Sequence, residues 1–193
     1  MILSGFACGL NAQRFHGGVM SGLVVSQLDG DNLGGYNKPG LRFGGWVNTR
    51  ISRITTLQME LEFIQKGSKI SENELEIEQY YHSRLHYIQL PLLAKFQMLP
   101  QLHLETGIAG AYLFKSLEDS DGYGFVDPLE PFDQYELSLI IGLGYEFSDH
   151  FFGLVRLNYS ALPIREHPGG QVHFINRGQY NNALCFSLYY QID

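Results

Sequence analysis

The chain has 193 residues, a net charge of −7 and 17% charged residues, fewer than the roughly 25% of typical soluble domains. This length suits one domain with a buried core. Abundant glycine (22) and a 13% share of aromatic residues favour strands and turns over helices. The acidic balance argues against nucleic-acid binding, which needs clustered Lys and Arg, and no apolar run approaches the ~20 residues of a membrane-spanning helix.

The first segment, residues 1–12, is apolar and ends in a small residue before a polar pair, as the end of a signal peptide does. We therefore expect an exported protein in which residues 13–193 form the single folded domain. Cys8 and Cys185 lie near opposite ends and show neither the spacing of a zinc site nor a disulfide framework. No metal or cofactor is predicted from them.

Strict alternation of apolar and polar residues predicts strands along most of the chain. Residues 57–63 read LQMELEF, and the same two-residue period runs through 135–147 and 184–192, where a helix would not tolerate it. By this criterion we predict eight strands, at 17–28, 41–51, 55–66, 81–97, 102–116, 135–147, 151–160 and 180–192.

The connections between these strands alternate in length. Short ones lie at 52–54, 98–101 and 148–150, and long polar or Gly/Pro-rich ones at 29–40, 67–80, 117–134 and 161–179. This alternation predicts an all-β fold, an eight-stranded antiparallel up-and-down barrel with tight turns at one end and long loops at the other. In an outer membrane the tight turns would face the periplasm.

The polar face of the strands decides between a soluble barrel and a transmembrane barrel. Small residues beside long charged ones suit the narrow, filled lumen of an eight-stranded transmembrane barrel, in which opposite charges pair. We predict a charge network in the lumen made of Glu60, Glu62, Lys95, Glu105, Lys115, Glu136, Glu146 and Arg156.

The apolar face of the same strands is then expected to contact lipid. The predicted lipid-facing residues are Leu57, Met59, Leu61, Phe63, Leu137, Leu139, Ile141, Leu143, Leu184, Phe186 and Leu188. Aromatic residues at the strand ends predict the two interfacial belts of such a barrel. One belt would lie near the tight turns (Phe96, Tyr145, Phe147, Phe151, Tyr189, Tyr190) and the other near the long loops (Tyr81, Tyr112, Phe114, Tyr135, Tyr159, Tyr180).

Several short motifs in a fixed order resemble the PorT-like outer-membrane β-barrel family over nearly the whole chain after Ala12. They are YNKPG at 36–40, QKGS at 65–68, LHYIQLPLLAK at 85–95, ETG at 105–107 and IGLGYE at 141–146. The resemblance implies the outer membrane of a Gram-negative bacterium and no general catalytic motif. For the founding members it implies a role in protein secretion.

Catalytic chemistry finds little support in the sequence. His82 and His86 share a strand face but lie about 13 Å apart, too far for one metal ion. His167, His173 and Glu166 lie in the last long loop, where solvated side chains are the simplest interpretation. We therefore predict no catalytic, cofactor-binding or metal-binding residues.

The function predicted from the sequence is a small, non-enzymatic outer-membrane barrel with a structural or partner-binding role. Its expected partners are outer-membrane lipid and, through the long loops, other outer-membrane or secreted proteins. Two alternatives stay open. One is a soluble lipocalin-like carrier of a small ligand, and the other is an outer-membrane lipid-modifying enzyme, which would need His, Ser and Asp side chains converging at the loop end.

Overall fold

A computed structural model describes residues 14–30, 35–70, 81–166 and 178–192. These form eight antiparallel strands in chain order and, within those ranges, no helix that could cross a membrane. The strands are β1 (Phe15–Asp29), β2 (Lys38–Arg50), β3 (Thr55–Lys66), β4 (His82–Leu99), β5 (Leu102–Asp119), β6 (Tyr135–Glu146), β7 (Phe151–Ser160) and β8 (Tyr180–Ile192).

Each strand pairs with its neighbour in sequence, and β8 closes the barrel by pairing antiparallel with β1. Closure leaves no sheet edge unpaired, which lipid would otherwise penalise. The predicted eight-stranded barrel is confirmed. The largest differences lie at the loop end, where β2 starts at Lys38 and the β4–β5 hairpin continues as far as the pair His82 and Asp119.

Burial alternates along the strands as a two-residue period requires. On β3 the side chains of Leu57, Met59 and Leu61 are exposed on the outer surface, while Gln58 and Glu60 are buried inside. The outer face of β6 repeats the pattern. Of the residues predicted to face lipid, Phe63 and Leu184 are half-buried on the outer face, and the others are exposed there.

Outward-facing aromatic rings form a belt near the long loops. The ring centroids of Phe43 and Phe63 lie 5.0 Å apart, and those of Phe63 and Phe114 lie 6.0 Å apart. Two predicted members of the belts lie elsewhere. Tyr189 is fully buried inside the barrel because it shares the inward parity of β8, and Tyr81 precedes β4 and binds loop residues.

A charge placed on the outer face tests which surface meets lipid. Leu61 is 60% exposed in the middle of β3, so Leu61→Arg should destabilise the barrel in lipid by roughly 2–4 kcal/mol. Leu99→Arg, at the tight turn after β4, is the control and should cost only about 0–1 kcal/mol, because arginine there reaches water. Folding titrations in bilayers measure both; equal costs at the two depths would contradict the assignment.

Candidate functional site: a charged interior beneath a capped outer end

The middle of the barrel is crossed by a buried ion-pair network centred on Glu60. Arg156 binds this carboxylate with two nitrogens, Nη1 to Oε2 at 2.8 Å and Nη2 to Oε1 at 3.0 Å. Arg156 Nε also donates to Glu105 Oε1 at 2.5 Å. Arg42 approaches from the other side, with Nη2 at 3.4 Å from Glu60 Oε2 and Nε at 2.8 Å from Glu62 Oε2. Each of these side chains is at most 1% exposed.

Polar groups complete the coordination of Glu60. The Tyr189 hydroxyl donates to Glu60 Oε1 at 3.0 Å and accepts a hydrogen bond from Arg156 Nη2 at 3.2 Å, and Gln58 Nε2 donates to Oε1 at 2.6 Å. The network therefore ties together β2, β3, β5, β7 and β8. Paired charges with additional hydrogen bonds can remain ionised inside a barrel too narrow for bulk water.

A second buried cluster lies closer to the long loops. Lys66 Nζ lies 2.6 Å from Glu136 Oε1 and 3.2 Å from Asn158 Oδ1. Glu136 also accepts hydrogen bonds from Ser138 at 2.5 Å and from Asn181 at 2.6 Å. The Glu136 carboxylate is therefore bound by one cation and two neutral donors. The side chains of this cluster occupy the interior near the long loops.

Two residues predicted for the lumen network are placed differently by the structure. Lys115 is exposed on the outside because a β-bulge at Phe114 shifts the β4–β5 register between His86 and Tyr87. Glu146 is half-exposed at the tight-turn end, 3.8 Å from His103 Nδ1.

Lys95 is buried, as predicted, but it lies over aromatic rings, with Nζ 4.5 Å from the Phe152 ring centroid and 5.5 Å from that of Tyr189. The prediction missed two cations. Arg42 and Lys66 are completely buried, and both share the inward parity of their strands.

The tight-turn end of the barrel opens into a polar vestibule of about 480 Å³. Lys95, His103 and Phe152 are among its lining residues, together with Arg50 and Glu146. His103 fits there only because residue 144 is glycine, since a Cβ on Gly144 would lie 2.1 Å from the imidazole Nε2.

The opposite end is closed by a cap built around Arg165, a residue to which the sequence analysis assigned no structural role. Its Nη1 donates to Glu118 Oε1 at 2.7 Å, its Nη2 to the Tyr81 hydroxyl at 3.1 Å, and its Nε to Gln179 Oε1 at 2.9 Å. The guanidinium also lies 4.1 Å from the Phe132 ring centroid. One side chain therefore joins residues from three of the long connections.

Apolar side chains seal the mouth beneath this cap. Phe132 and Ile164, from two different loops, are buried against a cluster that includes Leu85, Tyr87 and Leu113 from the barrel wall. Burial raises the pKa of Tyr81, and so does its hydrogen bond to the Glu118 carboxylate, so the Tyr81 phenol stays protonated and keeps donating at 2.5 Å.

Within the described ranges, no three His, Cys, Asp or Glu side chains converge as a metal site would require. His82 and His86 lie on the outer face of β4 and contact aromatic rings of Phe125 and Phe114 respectively. His167 and His173 lie outside the described residues, as do residues 1–12 and Cys8, whereas Cys185 is buried and unpaired.

A closed eight-stranded barrel with an exposed apolar wall, an aromatic belt and a charged interior defines a small bacterial outer-membrane β-barrel protein. The chain belongs to the outer membrane protein beta-barrel domain family, whose model matches residues 5–162. The soluble lipocalin-like alternative would need an apolar interior, the reverse of the interior seen here.

Solved outer-membrane barrels share this fold at low sequence identity. Ail, the attachment invasion locus protein of Yersinia pestis, in complex with the heparin analogue sucrose octasulfate, has a TM-score of 0.51 at 12% identity, over 93% of this chain and 99% of that chain. Neisserial surface protein A has a TM-score of 0.55 at 12% identity, over 92% of this chain and 97% of that chain. No curated protein matches the sequence.

Removing the central carboxylate tests the interior network. Glu60→Gln should lower the free energy of unfolding by about 3–5 kcal/mol, because it removes the carboxylate that Arg42 and Arg156 share. Three buried cations, Arg42, Arg156 and Lys95, would then face only two carboxylates, Glu62 and Glu105. Glu146→Gln, at a half-exposed pair, is the matched control and should cost only about 0–1 kcal/mol. Urea unfolding of the protein in bilayers reports both values, and a small loss for Glu60→Gln would show that the network is hydrated.

Proposed function

We propose that this protein is a non-enzymatic membrane barrel that holds a loop surface at the outer end for binding a protein partner. The observation that carries the proposal is the exposure of two large apolar side chains on the β5–β6 connection, Tyr123 at 95% and Leu129 at 98%. Isolated exposed apolar residues are common, but two on an anchored loop favour a contact surface.

The β5–β6 connection is anchored on both sides of these residues. The backbone groups of Glu118 and Val126 exchange two hydrogen bonds, and Asp119 Oδ1 accepts the Gly122 N–H at 2.8 Å. Phe132 is buried in the mouth of the barrel. A loop that is already ordered loses less conformational entropy when it binds, which favours affinity.

The chemistry of this surface indicates the kind of partner it would accept. Four exposed carboxylates lie close to the two apolar residues along the same connection: Asp121, Asp127, Glu130 and Asp133. A partner with an apolar contact patch rimmed by Lys or Arg would complement it. The resemblance to PorT-like proteins supports a secreted or outer-membrane protein in this role, linked to secretion.

The absence of enzymatic activity is part of the proposal. The interior carboxylates that could supply acid and base groups, Glu60, Glu62, Glu105 and Glu136, are each held by a buried cation. Carboxylates held in buried salt bridges serve the structure rather than proton transfer.

A conductance measurement distinguishes a barrel that presents a binding loop from a barrel that forms a pore. Because the Glu60 network crosses the interior and Phe132 and Ile164 fill the outer mouth, the reconstituted protein should give no stable porin-sized conductance steps in planar bilayers. A sixteen-stranded porin in the same bilayer provides the positive control. Reproducible large steps that disappear when the protein is unfolded would contradict the proposal.

Site-specific crosslinking tests the loop surface. Replacing Tyr123 or Leu129 by p-benzoylphenylalanine in native cells should give an adduct of one discrete mass after irradiation. The same substitution at Leu99, an exposed apolar residue at the opposite end, should not give that adduct. Asp121→Asn together with Asp127→Asn should weaken the adduct if the partner is basic. Identical adducts at all three positions, or none, would contradict the proposal.

A further inference from the structure

A small basic pocket opens on the barrel near the loop ends of β2, β3 and β4. It measures about 250 Å³ and is lined by Lys38, Pro39, Gln65, Lys69, His82, Arg84 and His86. Lys115, the residue that the bulge turns outward, pairs across the sheet with His86 and adds a further positive charge beside the pocket. The pocket thus gathers positive charge on a chain whose net charge is −7.

No carboxylate stands among these lining residues of the described chain. Lys38 is only 3% exposed, and the hydrogen bond its Nζ donates within the described part goes to a carbonyl, Pro39 O, at 3.2 Å. Asp119 lies across from His82, and its Oδ1 already accepts the Gly122 N–H. Because the described residues give the buried Lys38 ammonium a carbonyl but no carboxylate, an anion supplied from outside would stabilise it.

The guanidinium of Arg84 is held in place on the outer face. Its Cζ lies 3.8 Å from the Phe125 ring centroid, and the His82 ring contacts the same phenyl group at 4.9 Å. A fixed guanidinium presents a planar pair of N–H donors, which matches two oxygens of a phosphate group.

The depth of the pocket indicates where its ligand comes from. His86 stands edge-on against the belt of aromatic rings, 5.8 Å from Phe63 and 6.1 Å from Phe114. Gln65 lies two residues beyond Phe63, about 7 Å further toward the long loops. Aromatic belts mark the boundary between hydrocarbon and headgroups, so the pocket lies at headgroup level on the loop side, which is the outer leaflet in barrels of this kind.

We propose that this pocket binds a phosphate group of an outer-leaflet lipid. A phosphate monoester carries nearly two negative charges and several acceptor oxygens, which match the Lys and Arg groups gathered here. The lipid's acyl chains would then lie along the exposed apolar wall below, where Phe43 and Leu61 face outward. The site differs from the proposed partner surface, which is acidic and lies on the loop itself.

Binding of a phosphorylated lipid can be measured directly on the folded barrel. Native mass spectrometry of the protein in detergent, titrated with bisphosphorylated lipid A, should show one tightly bound molecule. The variant Arg84→Gln/Lys115→Gln should weaken this binding by about tenfold or more, since each basic group near the surface contributes appreciably to attraction of an anionic lipid. Arg50→Gln/Arg53→Gln removes the same charge at the tight-turn end and should leave binding unchanged.

Two further binding measurements identify the source of the phosphate. Lipid A with its phosphates removed should bind no better to the wild type than to the Arg84→Gln/Lys115→Gln variant. Inorganic phosphate at millimolar concentration should not displace the lipid, since it lacks the contacts of the acyl chains with the wall; complete displacement would overturn the lipid assignment. Equal binding of phosphorylated and dephosphorylated lipid, or equal losses in the two double variants, would overturn the site. The heat-dependent gel mobility of the folded barrel checks that each variant remains folded.

Discussion

The attraction between one buried carboxylate, Glu60, and the two arginines that share it, Arg42 and Arg156, is the interaction on which this barrel depends. Glu60 can stay ionised only because Arg42 and Arg156 both reach it, and those arginines can stay buried only because Glu60, Glu62 and Glu105 neutralise them. Arg42 joins the neighbouring strands β2 and β3, whereas Arg156 reaches from β7 across the interior to β3 and β5. A slip of one residue in any of them would turn a charge toward lipid, so the network also fixes the register.

Along the barrel axis the interior has three parts with different roles. The tight-turn end is an open polar vestibule around His103 and Glu146. The middle is filled by ion pairs, and the loop end is sealed by apolar side chains beneath Arg165. Because described side chains fill the middle of the barrel and its loop end, the loops and the outer surface are the parts left to interact with other molecules, which is why both proposals concern them.

Regular alternation made most of the fold predictable from the sequence, because in a transmembrane barrel every side chain has only two environments. Eight strands, their order and the interior position of Glu60 all follow from that period. The bulge at Phe114 breaks the period without a glycine or proline to signal it, so Lys115 was assigned to the wrong face. Arg42 was missed because the glycines beside it in LRFGGW obscure the alternation, and Arg165 because its partners come from segments distant in sequence.

The position of Phe125 links the two outer features of the molecule. This phenyl ring belongs to the same loop as Tyr123, two residues away, yet it holds the guanidinium of Arg84 in the basic pocket on the barrel wall. A partner whose binding shifts the loop would change the binding free energy of a lipid at Arg84. By thermodynamic reciprocity, the lipid would change the binding free energy of the partner by the same amount. Lipid composition in the outer leaflet would thereby act as an effector of the loop, adjusting its affinity to the membrane around it.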